Sequence, residues 1–158
     1  MDLNAPTAIH ALDLEVLLRL GVAALLGLLI GFDRELRGAD AGLRTHGIVC
    51  FTAAAMTVSM IALYRAEEGG NLDLLRIFEA NGAFVGIIGA GLIVFSKGQV
   101  KNLTTAANLW LATVVGIACG AGQWPLVMVA ALISVIMLTV LGFVQARFKG
   151  GVADGDDA

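Results

Sequence analysis

Apolar and polar positions in this chain fall into long blocks. Beyond Arg19 the sequence is apolar almost without a break to Phe32. It turns apolar again from Leu43 to Tyr64, from Ile77 to Phe95, from about Thr104 to Ala121, and from Pro125 to about Phe143. Blocks of roughly 20 residues have the length an α-helix needs to cross the hydrocarbon core of a bilayer. The pattern predicts an all-α fold, a polytopic transmembrane helical bundle of about five helices.

The polar residues mark the ends of these blocks. Glu15 precedes Arg19 by one turn and forms an i,i+4 pair where the first helix enters the membrane. Arg65 to Arg76 reads as a polar loop, and so does Ser96 to Asn102, with Thr104 as the expected N-cap of helix four. Gly122-Gln123-Trp124-Pro125 predicts a short hairpin, in which Pro125 suits the first turn of helix five. Glycines spaced four apart, Gly27/Gly31, Gly82/Gly86 and Gly116/Gly120, permit close helix crossing. The glycine face of helix three, Gly82, Gly86, Gly89 and Gly91, reads first as a packing surface and alternatively as the backbone lining of a conduit.

Composition strengthens the membrane reading. Of the 158 residues 58% are hydrophobic and 15% charged, and the mean hydropathy is +0.87, well outside the range of soluble domains. One transmembrane domain is expected over residues 14–148, with an extracytoplasmic segment before it (1–13) and an acidic, disordered tail after it (149–158). The formal charge of -3 argues against nucleic acid as a partner, and Asp154, Asp156 and Asp157 account for it. No basic stretch precedes the first helix, so that helix is expected to be retained rather than cleaved. Cys50 and Cys119 lie in apolar runs and read as packing residues, not as a disulfide.

The distribution of basic residues gives an orientation. With five spans, Arg34, Arg37, Arg44, Lys97, Lys101, Arg147 and Lys149 share one side, and Arg19, Arg65 and Arg76 fall on the other. By the positive-inside rule the larger group is cytoplasmic, which puts the N-terminus outside and the C-terminus inside.

The densest charge cluster lies between the first two helices, in Gly31-Phe32-Asp33-Arg34-Glu35-Leu36-Arg37-Gly38-Ala39-Asp40-Ala41-Gly42-Leu43-Arg44-Thr45. Arg44 at a helix start opposes the helix dipole, so Asp33, Glu35 or Asp40 is an attractive partner; a simple surface charge is the alternative. His46 reads first as a hydrogen-bonded packing residue, with metal ligation or proton carriage as alternatives. Glu79 and Asn81 open helix three. An intramembrane carboxylate is costly and tends to be functional, whereas at headgroup level solvation removes the cost.

The charged turn, followed by Ala41-Gly42-Leu43-Arg44-Thr45, resembles the signature of the MgtC/SapB family of bacterial inner-membrane proteins. Gly89-Ala90-Gly91, then Leu103-Thr104-Thr105-Ala106-Ala107 with Leu109-Trp110, resembles the second half of that pattern. The resemblance covers roughly residues 20 to 130. It implies an inner-membrane helical protein linked to magnesium homeostasis and growth in low magnesium. It implies no counterpart here to the C-terminal cytoplasmic domain that some members carry. Asp33 stands where the family usually has Glu, and Glu79 with Asn81 replaces its usual Gln near the start of helix three.

Two mechanisms compete. Binding or transport of a divalent cation, Mg2+, would use Asp33, Glu35 and Glu79 as metal ligands, with Asn108 as a further oxygen donor, because Mg2+ keeps several waters and needs few carboxylates. Alternatively Asp33, Arg34, Glu35, Arg37 and Arg44 form a structural ion-pair cluster beside Thr45, with Thr104 and Asn108 hydrogen-bonding nearby; Glu79, Asn81, Thr104, Thr105 and Asn108 are the polar candidates of helices three and four. The chain would then be a regulatory protein that binds another membrane complex, for which the resemblance implies the ATP synthase as an example. No nucleophile, phosphate-loop or zinc spacing is present, so an enzyme is not expected. The lipid bilayer is the expected surrounding, and the glycine spacings allow a homo-oligomer.

Overall fold

A computed structural model describes residues 13–66, 73, 75–96 and 98–137. The expected terminal segments, most of the 65–76 loop, Lys97 and the last part of helix five lie outside the described residues. The protein is an all-helical membrane bundle: α1 (Leu14–Leu36), α2 (Leu43–Ala66), α3 (Arg76–Leu92), α4 (Leu103–Gly120) and α5 (Trp124–Ile136). By length and composition α1, α2 and α4 can each cross a membrane. At 17 residues α3 is shorter than a full crossing, as are the 13 described residues of α5.

Three boundaries differ from the sequence reading. Helix α1 runs four residues past Phe32, so Asp33, Arg34 and Glu35 belong to its last turn. The connection that remains, Arg37–Gly42, opens with a Schellman motif, in which Ala39 N–H bonds to Arg34 O and Gly38 N–H to Glu35 O. Gly38 supplies the positive φ (63°) that this motif requires. Helix α3 stops at Leu92, because Ile93 is extended and the chain enters a hairpin, β1 (Val94–Ser96) with β2 (Gln99–Lys101). Phe95 pairs with Val100 across it, and Gly98 turns it at φ 76°. The third correction concerns Thr104, which is not the N-cap. Asn102 holds that position at φ 64°, a left-handed conformation that asparagine tolerates. Its amide donates to Asp40 and to Leu92 O (3.0 Å).

The core forms where α1, α2 and α4 meet, and backbone approach sets their spacing. A Cβ on Gly27 would fall 2.6 Å from both Cys50 Cβ and His46 O, and one on Gly31 would fall 2.6 Å from Leu43 Cα. Gly116 lies against Cys50 and Ala53, and Gly120 against Ala54 and Thr57. These contacts advance together along both helices, so α2 and α4 run parallel. Ala23, Cys50, Ala112, Val115 and Cys119 fill the space between them. Both cysteines are free and buried, as their apolar setting implied. The glycine face of α3 does not pack as its spacing suggested. Gly82 and Gly89 meet Trp110 and Ala106, whereas none of the described residues lies within 4 Å of a Cβ on Gly86 or Gly91.

The expected Glu15–Arg19 pair forms, and Arg19 does more than pair. Its Nη1 donates to Gly120 O at 2.8 Å, taking up a carbonyl left free where α4 ends. Arg19→Ala is therefore expected to lower stability by about 1–2 kcal/mol in detergent, and Glu15→Ala by less than about 1 kcal/mol because Glu15 itself is exposed. Equal losses in thermal unfolding would remove the capping role.

Candidate functional site

At the end of the bundle holding the charged turn, one acid serves two bases. Asp33 accepts from Arg34 Nη2 (2.5 Å) and Nε (3.2 Å), and from Arg37 Nη2 (2.8 Å) and Nε (2.9 Å). Side-chain exposure is 11% for Arg34, 20% for Asp33 and 38% for Arg37. The inner pair is thus largely withdrawn from water and the outer one is not. The Asp33 carboxylate in turn raises the pKa of Arg37 above its ordinary value.

Glu35 does a different job. Its carboxylate accepts from Leu43 N–H at 3.0 Å, which satisfies a free amide in the first turn of α2 and complements the positive end of that helix. Each expected acidic partner of Arg44 is thereby engaged elsewhere: Asp33 with Arg34 and Arg37, Glu35 with Leu43, Asp40 with Asn102. Arg44 is exposed, and Thr45 beside it is half-buried.

Behind this surface the polar residues are buried. His46 is fully enclosed, with Nδ1 2.8 Å from Gly42 O and Nε2 without a partner among the described residues. A carbonyl can only accept, so Nδ1 carries the proton in this contact. On α4, Thr105 and Asn108 are 5% and 8% exposed, and Asn108 Nδ2 is buried without a partner among the described residues. In the register set by Gly116 against Cys50, Asn108 lies level with Gly42. Thr104 is exposed and forms no hydrogen bond with the charged cluster among the described residues.

Glu79 and Asn81 are not part of this assembly. Because α1, α2 and α3 succeed one another up and down, the start of α3 lies at the end away from Asp33 and Glu35. Ile77 there packs with Ala53 and Ile117. Glu79 is exposed, and Asn81 is buried with its amide on Ile77 O at 2.9 Å. The structure brings Asp33 and Glu35 to one turn but does not bring Glu79 to them. Among the described residues no group of three or more His, Cys, Asp or Glu is placed to hold a metal ion.

The sequence model of the MgtC family matches residues 20–147. The chain belongs to the MgtC family. Within it, the chain is 34% identical to SapB of Bacillus subtilis over 140 residues, 86% of this chain and 60% of that protein. It is 37% identical to MgtC of Brucella abortus over 118 residues, 75% of this chain and 46% of the relative. It is 34% identical over 138 residues to YhiD of Escherichia coli K12, which carries the name of a proposed magnesium transporter; the match covers 85% of this chain and 63% of YhiD. The chain thus spans about half to three-fifths of the curated relatives it matches. No solved structure matches it. Both the charged turn and α4 fall inside the segment matched by the MgtC family.

Several contacts had no clear signal in the sequence. Glu35 to Leu43, Arg19 to Gly120 and Asn102 to Asp40 each join a side chain to a distant element, which spacing along one helix does not show. Asp13, whose carboxylate accepts from Glu15 N–H at 3.5 Å to cap α1, does carry a local signal: an Asp directly before an apolar run.

Proposed function

We propose that this member of the MgtC family is a magnesium-linked regulatory protein of the bacterial inner membrane. It acts by binding another membrane protein, of which the ATP synthase is the candidate the resemblance implies, and neither catalyses a reaction nor conducts the ion. The charged turn faces the cytoplasm and the N-terminus lies outside. The link to magnesium rests on the family and on the name borne by YhiD.

The observation that carries the regulatory reading is the engagement of the acids. A cation arriving at Asp33 must displace two guanidinium groups, and one arriving at Glu35 must uncap α2. Carboxylates held this way are poor ligands for an ion that itself sheds water reluctantly. They are well suited to fixing α1 against α2, which leaves the outer helix faces to meet a partner.

Magnesium uptake into liposomes containing the purified chain tests this reading. Wild type, Asp33→Asn and Glu79→Gln are compared after each is shown to be folded and correctly oriented. The expected result is no saturable uptake by any of the three. Saturable uptake by wild type that is lost in either variant would overturn the regulatory assignment and identify the acid a transporter uses.

A further inference from the structure

Helix α3 rests on α4 through Gly82 against Trp110 and Gly89 against Ala106, and it touches α2 along little of its length. The space left between α2 and the start of α3 is a groove of about 560 Å3. Met56, Ser59 and Met60 line it from α2, and Arg76, Ile77 and Ala80 line it from α3. The packing of Ile77 on Ala53 and Ile117 closes its floor.

Three features define what fits there. First, the groove belongs to membrane-embedded helices, so its apolar walls face lipid rather than water, and its volume is that of an ordinary ligand site. Second, two methionines line it, and their flexible thioether chains mould to an irregular aliphatic guest. Third, Arg76 is exposed, and its guanidinium has no hydrogen-bond or ion-pair partner among the described residues. As the first residue of α3 it stands where the helix meets the headgroup layer, and a guanidinium there binds phosphate through paired N–H donors. Arg65, exposed at the end of α2, adds a second cation at that end of the bundle.

An aliphatic trench with a guanidinium among its lining residues is complementary to one class of molecule. We propose that the groove is a binding site for an anionic phospholipid, with an acyl chain lying between α2 and α3 and the headgroup phosphate on Arg76. A helix from a second protein would fill the trench but would leave Arg76 without its anion. The site stands independently of the magnesium reading, since it shares no residue with the charged turn.

Native mass spectrometry of the full chain in detergent, with dioleoylphosphatidylglycerol or dioleoylphosphatidylcholine added, tests the proposal. Wild type is expected to retain phosphatidylglycerol about fivefold better than phosphatidylcholine. Arg76→Gln should abolish that preference and Arg76→Lys should retain part of it. Ala80→Phe, which fills the trench from α3, should reduce adducts of both lipids while thermal unfolding shows the protein folded. Equal retention of the two lipids by wild type would overturn the site, as would an Arg76→Gln variant that keeps the preference. So would a dimer whose formation through this groove excludes lipid.

Discussion

Valine in place of Gly116 is expected to prevent the bundle from assembling, giving little or no folded protein by size-exclusion chromatography of a fluorescent fusion. A Cβ at this position would drive into the carbonyl oxygen of Cys50 and lie 2.9 Å from Ala53 Cβ. The obstructing atoms are largely backbone, which cannot swing aside as the tip of a long side chain can. Overpacking a core costs about 1–3 kcal/mol where side chains can yield, and here α2 and α4 must separate instead. That separation would also loosen the contacts of Ala112, Val115 and Cys119. Because a whole domain is stable by only about 5–15 kcal/mol, one such substitution removes much of the margin. Gly86→Ala is the matched control. None of the described residues lies near its Cβ, and alanine is the better helix former, so it should match or exceed wild type by up to about 1 kcal/mol. Equal folded yields from Gly116→Val and Gly86→Ala would mean that α2 and α4 do not meet at this height.

Asp33→Asn is expected to cost about 2–3 kcal/mol in thermal or denaturant unfolding. The carboxamide keeps the shape of the side chain but not its charge, and it presents a donor to one of the guanidinium groups. Arg34, with a side chain only 11% exposed, is left as a nearly buried cation without its anion, and that loss outweighs the hydrogen bonds themselves. Arg37→Ala should cost less than about 1 kcal/mol, because that partner is 38% exposed and water replaces it. Asp33→Glu should fall between. An Asp33→Asn variant as stable as wild type would show the carboxylate to be free of the two arginines and open to a cation, the arrangement transport requires.

Much of this architecture is legible in the residues, because a bilayer demands long apolar blocks and helices within them. The position of α1, α2 and α4 follows from that demand alone. The hairpin at 94–101 does not, since Ile93-Val94-Phe95 continues an apolar run that periodicity cannot distinguish from another turn of helix. Glycine spacing is equally incomplete. Gly116/Gly120 and Gly82/Gly86 have the same separation, yet the first pair meets backbone and the second mostly open space. Asp33 and Glu35 stood out by charge density, but their roles depend on which donor reaches them first: two guanidinium groups for one, a helix-terminal amide for the other. The distance of Glu79 from both follows from counting crossings. The enclosure of His46 and Asn108 requires the register of α2 against α4, which comes only with the three-dimensional fold.

The parallel contact of α2 with α4 has a consequence for biosynthesis. α1 and α2 leave the ribosome first and can close on each other as a hairpin through Gly27 and Gly31. α3 follows, but the surface that will hold it, Ala106 and Trp110, has not yet been made. α4 must therefore bind the earlier hairpin first, and α3 docks last of the four. The order of synthesis and the order of assembly differ, and a nascent chain halted before Leu103 would carry α3 into the bilayer with little to hold it.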